Sequence, residues 1–317
     1  MKPILSFRNV RTRFHLQRIV VKALDGVDLD VYENETLGIV GETGCGKSVL
    51  LLTALRLLPP NARVEGEILY DGRVNLLGVS EGEARKIIGR EFALVPQGLG
   101  LSLNPVLNVG FQICERAVEH RTYSKSRGFE VAMRLLRKLG LRDAEKWSKG
   151  YPHQLSGGMK QRVLVAMGIL GNPRVVFVDE PTKGLDVIKK SLLITLLKRA
   201  RRESHSTFII VSHDLGFVRE ITDRVCVMYC GQVVELSPTK DFFKEALHPY
   251  SEALLEALPE GGLKPLEGEM PSMVNPPAGC RFHPRCRYAT EICRRVVPAV
   301  KSFEGRLVRC HRAGEFS

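Results

Sequence analysis

A chain of 317 residues with 44% hydrophobic content can form one large domain or two smaller ones around a sizeable core. No apolar run approaches the ~20 residues of a membrane-spanning helix, and Met1-Lys2-Pro3-Ile4 begins no signal-peptide core, so a cytosolic chain is expected. The net charge of +12 admits anionic partners (nucleotide, nucleic acid or a membrane surface), and eight cysteines in such a setting speak for metal binding or burial rather than disulfides.

Residues 4–32 alternate apolar and polar, as in Leu5-Ser6-Phe7-Arg8-Asn9-Val10 and Val27-Asp28-Leu29-Asp30-Val31, which is the period of a half-buried strand. An antiparallel sheet is therefore expected at the start of the chain. Phe14 lies within it, either as a core or edge aromatic or as a ring that stacks on a nucleotide base. The apolar run Thr36-Leu37-Gly38-Ile39-Val40 then leads into Gly41-Glu42-Thr43-Gly44-Cys45-Gly46-Lys47-Ser48, and helix formers follow from Val49 to Leu58. Strand, G-x-x-x-x-G-K-S and helix in succession make a phosphate-binding loop. The glycines let the backbone curl so that several N–H groups face one anion, and the helix adds its positive end. In this motif Lys47 reaches the β- and γ-phosphates and Ser48 ligates Mg²⁺.

Glu67 to Tyr70 reads as a strand closing in an Asp71-Gly72 hairpin turn, and Phe92 to Gln97 as a further strand. Between 98 and 157 the period becomes helical, over Val109–His120 and Phe129–Leu139, which points to a helical insertion. Gln154-Leu155-Ser156-Gly157-Gly158-Met159-Lys160-Gln161-Arg162 follows, where two glycines at a helix start offer a second anion site. Val175-Val176-Phe177-Val178-Asp179-Glu180 reads as a buried parallel strand carrying two carboxylates at its C-terminal end, the edge where α/β sites form. Asp179 would hold Mg²⁺ directly or through water, and Glu180 would polarise the attacking water. Thr207 to Val211 repeats the pattern and brings His213 to the end of a third strand.

Together GETGCGKS, Gln97, LSGGMKQR, FVDEP, GLD and VSHD resemble the ATP-binding cassette (ABC) family over residues 4 to about 245. The resemblance implies an α/β P-loop NTPase fold with an antiparallel β subdomain, a helical subdomain at about 98–165, and a head-to-tail dimer with ATP between two cassettes. Gly41 to Ser48, Gln97, Asp179, Glu180 and His213 of one cassette would hold each ATP, with Ser48, Gln97 and Asp179 around Mg²⁺. Leu155, Ser156, Gly157 and Gly158 of the facing cassette would cover it, and Asp186 would lie at the dimer seam. Glu180, His213 and Gln97 would be catalytic.

Residues 246–317 are expected to form a small, irregular, Cys-rich C-terminal domain, and they narrow the likeness. His248-Pro249-Tyr250-Ser251-Glu252-Ala253-Leu254-Leu255, a Pro-rich loop and Gly279-Cys280-Arg281-Phe282-His283-Pro284-Arg285-Cys286 are similar to the tail of dipeptide, oligopeptide and nickel importer ATPases. That similarity implies a peripheral subunit at the cytoplasmic face of the membrane. Its partners would be a second cassette, the same or related, two membrane permeases and an extracellular solute-binding protein. No nucleic-acid partner is expected. A DNA-repair or chromosome ATPase, which also carries an LSGG-type motif, is the competing reading. Cys45 departs from the small hydroxyl residue common at its position, and Lys183-Gly184 from a threonine-alanine pair.

Cys280, Cys286, Cys293 and Cys310 are spaced C-x5-C-x6-C-x16-C, without the close pairs of a zinc ribbon. Four thiolates in a short tail can hold zinc or an iron–sulfur cluster. A short segment rich in Pro and Arg has little apolar material for a core of its own, which favours a metal staple. Residues 281–312 hold eight Arg and one Lys against two Glu, a net of +7 that would offset thiolate charge. The family resemblance favours a [4Fe–4S] cluster, with zinc second.

Overall fold

The computed structural model describes residues 2–97, 102–313 and 315; the first residues of the expected helical insertion, 98–101, lie outside them. Two long strands, β1 (Pro3–Leu16) and β2 (Ile19–Tyr32), precede β3 (Thr36–Val40), the loop of residues 41–46 and helix α1 (Lys47–Ala54). Strands β4 (Ala62–Tyr70) and β5 (Val74–Asn75), helix α2 (Glu81–Glu91) and strand β6 (Phe92–Val95) follow. Then come α3 (Val109–Glu119), α4 (Lys125–Lys138), α5 (Ala144–Ser148), α6 (Gly157–Ile169), β7 (Val175–Asp179), α7 (Val187–Ser204) and β8 (Thr207–Val211). The last third carries α8 (Leu215–Ile221), β9 (Arg224–Tyr229), β10 (Gln232–Pro238), α9 (Thr239–Lys244), α10 (Pro249–Glu256), α11 (Glu291–Arg295), β11 (Lys301–Phe303) and β12 (Arg306–Val308).

These elements divide into two units. Residues 1–32, 37–78 and 213–317 form one, and residues 33–36 and 79–212 the other. The first unit holds two sheets. One is antiparallel, in the order β2-β1-β4-β5, and its inward residues Leu5, Phe7, Val10, Leu24, Val27 and Val31 are buried as the alternation requires. The Asp71-Gly72 turn closes β4 onto β5 with both residues at positive φ, the geometry that Asp-Gly serves. In the other sheet β3 runs parallel to β9, and β9, β10, β12 and β11 continue antiparallel. The second unit contains β8, β7 and β6, all parallel, with α2 to α7. Val175 to Val178 are fully buried, as a strand covered on both faces must be, and Phe177 meets Phe92 edge to face at 5.7 Å.

Several expectations shift. The helix after the phosphate loop begins at Lys47 rather than Val49 and ends at Ala54 rather than Leu58, because Arg56 takes a left-handed conformation (φ 53°) before Pro59. The strand ending at Gln97 stops at Val95, just before Pro96, which has no N–H to donate. The helix expected from Phe129 starts four residues earlier, where Ser124 accepts a hydrogen bond from the Arg127 N–H. Helix α2 went unread, although Ser80 and Glu83 make a reciprocal capping box, because Ala84 is the one residue it buries and no apolar period announces it.

The C-terminal stretch is more regular than its composition suggests. It lies in the first unit, where β12 pairs with β10 through Glu235↔Val308 and Leu236↔Leu307. A buried ion pair fixes that register. The Glu235 carboxylate, fully buried, accepts from the Arg306 guanidinium at 3.0 Å, from the Leu247 N–H at 3.0 Å and from the His248 N–H at 2.9 Å. Arg306 also donates to Ser237 Oγ and the Glu245 carbonyl. Removing one partner of such a pair leaves an uncompensated buried charge. Arg306→Met is expected to lower unfolding stability in denaturant by about 3–5 kcal/mol; a loss under about 1 kcal/mol would show that the pair does not anchor the tail.

Candidate functional site

In the first unit, the loop of residues 41–46 is shaped by positions that exclude side chains. A Cβ on Gly41 (φ 148°) would stand 2.2 Å from the Met228 carbonyl oxygen, and one on Gly46 (φ 108°) 2.5 Å from that of Ala23. Gly46 is the N-cap of α1, so the chain enters the helix with the Lys47 and Ser48 backbone at its positive end. Lys47 is buried, and its Nζ donates to the carbonyls of Gly41 at 2.8 Å and Glu42 at 2.9 Å. The ammonium is thus held across the mouth of the loop it belongs to. Thr43 and Gly44 are exposed. Phe14 is half-buried in β1, paired with Val21 and Ala62.

Cys45 is fully buried, and its carbonyl accepts from the Gly231 N–H at 2.9 Å. Burial pushes its thiol up to about 11, against the pull of the nearby Lys47 ammonium. The side chain is therefore neutral at physiological pH.

The second unit carries the two carboxylates and the signature stretch. Asp179 closes β7, and Glu180 follows with φ 43°, a left-handed conformation uncommon for a non-glycine residue. Its N–H donates to the Val211 carbonyl at 2.9 Å, which pins the turn to the end of β8. Thr182 and Ser212, both buried, are hydrogen-bonded at 3.5 Å just below. Gln97 is exposed just beyond β6, and His213, in the first unit, is exposed beyond β8.

Ser156 caps α6 by accepting from the Met159 N–H at 3.3 Å, and Leu155 is buried beneath it. Gly157 and Gly158 are exposed, and a Cβ on Gly157 would meet nothing within 4 Å. The helix start is open over Gly157, while the Arg162 guanidinium lies against Gly158 and donates to its carbonyl at 2.9 Å. Asp186 caps α7, accepting from the Lys189 N–H at 2.9 Å and pairing with its ammonium at 2.7 Å. These contacts lower its carboxyl below the usual range. The next turn exposes Val187 and Ile188, at 81% and 75%, with Leu192 behind them. Sequence reading passed over this apolar surface because a 3.6 period cannot say which face lacks a partner.

Cys280, Cys286, Cys293 and Cys310 line one small cavity in the first unit, together with Phe282, Tyr288 and Arg312. The sequence reading brought the four together, and the structure does so too, although all are free thiols. Among the described residues no group of three or more His, Cys, Asp or Glu side chains is arranged as it stands to hold a metal ion. Burial first, and then the neighbouring thiols, push Cys280 up to about 11. Burial likewise raises Cys286 to about 11. No helix among the described residues is long and apolar enough to cross a membrane.

The loop also has neighbours that sequence reading missed. The Glu42 N–H donates to Tyr250 Oη at 2.8 Å, and the Glu42 carboxylate pairs with Arg285. Both partners lie more than 200 residues away in the chain, a distance no local pattern bridges.

A family model described as ABC transporter matches residues 24–183, and one described as the oligopeptide/dipeptide transporter C-terminal region matches residues 234–293. The chain is 40% identical to the dipeptide transport ATP-binding protein DppD of Caldanaerobacter subterraneus, over 98% of this chain and 97% of that one. It is 38% identical to the oligopeptide transport ATP-binding protein AppD of Bacillus subtilis, again over 98% and 97%. Among solved structures it resembles the ATP-binding cassette MJ0796, a dimer in a post-hydrolysis state bound to ADP and phosphate, with TM-score 0.64, 26% identity and coverage of 74% and 98%. CbiO1 from Clostridium perfringens, part of the transporter complex CbiONQ, aligns with TM-score 0.65 and 27% identity over 77% and 92%.

The buried neutral thiol of Cys45 carries its own expectation. In the native chain at pH 8 Cys45 should resist N-ethylmaleimide, with labelling rising only as the pH nears about 11 or on unfolding. Peptide mass mapping reads the result, and rapid native labelling at pH 8 would contradict the burial of the thiol.

Proposed function

The chain belongs to the ABC transporter family, and from that premise we propose that it is the ATP-hydrolysing subunit of an importer that takes up dipeptides or oligopeptides. The observation that carries this reading is full-length similarity to peptide-import ATPases, including a tail that matches the oligopeptide transporter region. The same match leaves a DNA-repair or chromosome ATPase without support. The division that fits is a cassette over 1–245, with a helical part at about 98–165, and a tail over 246–317. The subunit works at the cytoplasmic face of the membrane, docked on two permeases fed by a solute-binding protein. Its second cassette is either another copy or a related chain.

In this reading Gly41 to Ser48 cradle the phosphates of ATP, with Lys47 on the β- and γ-phosphates and Phe14 beside the base. Ser48, Gln97 and Asp179 would hold Mg²⁺. They offer a hydroxyl, an amide oxygen and a carboxylate, the oxygen donors such an ion takes. The ion supplies charge neutralisation at the β- and γ-oxygens. Glu180 orients and polarises the attacking water, and His213 contacts the γ-phosphate. Leu155, Ser156, Gly157 and Gly158 present their helix start to the ATP of the facing cassette. The open space over Gly157 supports that role. Asp186 and the exposed Val187 and Ile188 line the seam.

A [4Fe–4S] cluster is the group proposed for the four-cysteine cavity, with zinc second. Four thiols line one space with His248, His283 and His311 and no carboxylate, a lining of thiophilic character, although among the described residues no group of side chains is arranged as it stands to hold a metal ion. It would supply a structural staple. The role of this chain's residues is to hold it and, through arginines such as Arg312, to offset its charge.

Glu180→Gln should retain ATP binding and slow hydrolysis by roughly 10²-fold or more in the complex with its permeases, since an amide cannot polarise water. A wild-type rate would remove Glu180 from that role. Lys47→Ala should weaken ATP binding, and unchanged nucleotide affinity would count against the phosphate loop. After anaerobic purification, about four irons and a broad brown absorption are expected. One zinc without colour would replace the cluster with zinc, and no metal at all would refute the site.

A further inference from the structure

The phosphate loop carries a carboxylate of its own. Glu42 stands second in G-x-x-x-x-G-K-S, a loop whose task is to present positive ends of N–H dipoles to an anion. An uncompensated negative charge there would oppose the bound phosphates. The structure compensates it from the far end of the chain. Arg285 donates from one guanidinium nitrogen to Glu42 Oε2 at 2.7 Å and from the other to Oε1 at 3.1 Å, the two-pronged geometry in which arginine and carboxylate pair most firmly.

The arginine is built into place. Its side chain is 4% exposed, against 32% for Glu42. Its Nε donates to the Glu267 carbonyl at 2.9 Å, and one terminal nitrogen reaches Tyr229 Oη at 3.3 Å. Tyr229 packs against Tyr250 with ring centres 4.6 Å apart, and Tyr250 Oη accepts the Glu42 N–H. Side chain and backbone of Glu42 are thus both held by residues outside the segment matched as ABC transporter. A buried guanidinium directed at one loop residue by two further hydrogen bonds is more than a surface ion pair, which would contribute little.

We propose that Arg285 is a positioning residue of the nucleotide site: it neutralises Glu42 and fixes the curl of the phosphate loop, so that the tail sets the affinity for ATP. This inference rests on the nucleotide-site reading above. Arg285 immediately precedes Cys286, so the four-cysteine cavity and the phosphate loop share one short turn, His283–Arg285.

The test uses the full chain with MgATP, binding followed by titration calorimetry and turnover followed in the complex with its permeases. Arg285→Met should weaken ATP binding about tenfold and raise KM by a larger factor than it lowers kcat. Arg285→Gln, which keeps a hydrogen bond and loses the charge, should do the same and serves where the methionine variant fails to fold. Adding Glu42→Gln to either should restore affinity to within about threefold of wild type, because the repelling carboxylate is gone. Wild-type affinity in the single variants would overturn the proposal. So would a double variant as weak as the single one, since the arginine would then act on the fold and not through Glu42. A wild-type chain that binds no ATP would overturn the nucleotide-site reading itself, and it is told apart by needing no variant.

Discussion

Arginine–carboxylate pairing that ties the tail to the rest of its unit is the interaction on which the first unit depends. Arg281 reaches Asp25, Arg285 reaches Glu42 and Arg306 reaches Glu235, and all three arginines are buried or nearly so in their side chains. Each brings a tail segment onto a different part of the first unit: the middle of β2, the loop of residues 41–46 and β10. A segment so rich in Pro and Arg buries little apolar area of its own. Its small cluster of Val308, Cys310 and Ala313 leans on Leu247 and Phe303. Desolvating three guanidinium groups is costly, and it becomes tolerable because each finds a carboxylate and further hydrogen-bond acceptors. The excess positive charge of the tail is therefore in part consumed inside the fold, not displayed for an anionic polymer.

A second constraint is that the chemistry rests on backbone shape more than on side-chain variety. The phosphate loop exists because Met228 and Ala23 carbonyls crowd positions 41 and 46 until only glycine fits. Glu180 sits in a left-handed conformation at the end of a buried parallel strand, anchored through its N–H to the neighbouring strand. Gly157 and Gly158 leave a helix start exposed. Phosphoryl transfer asks for positioning and for charge placed where oxygen charge grows, and rigid strand ends with sharp turns deliver both.

That arrangement also explains why a second cassette enters the reading. The helix start at Ser156 has its cap satisfied locally and its glycines exposed, and Val187 and Ile188 after Asp186 are exposed at 81% and 75%. Neither surface is completed by residues of its own unit. The likeness to a cassette solved as a dimer, with ADP and phosphate bound, fits surfaces that a facing copy would complete.

The sequence by itself determined the strands at 36–40, 175–179 and 207–211, the glycine loop, the carboxylates after Val178 and the helix start at Gly157. In each case the signal is local: a buried parallel strand is a short apolar run, and a sharp turn needs glycine. It also grouped four cysteines that do line one cavity. It misplaced helix ends by up to four residues, since caps decide them, and it passed over α2, whose stability lies in a capping box and not in an apolar stripe. Only the tertiary structure decided that the tail extends a sheet through β12, that Glu235 is a buried acceptor, and that Glu42 answers to Arg285 across 243 positions of sequence. Pairing of charges far apart in the chain depends on where the backbone has already brought them, and composition carries no trace of that.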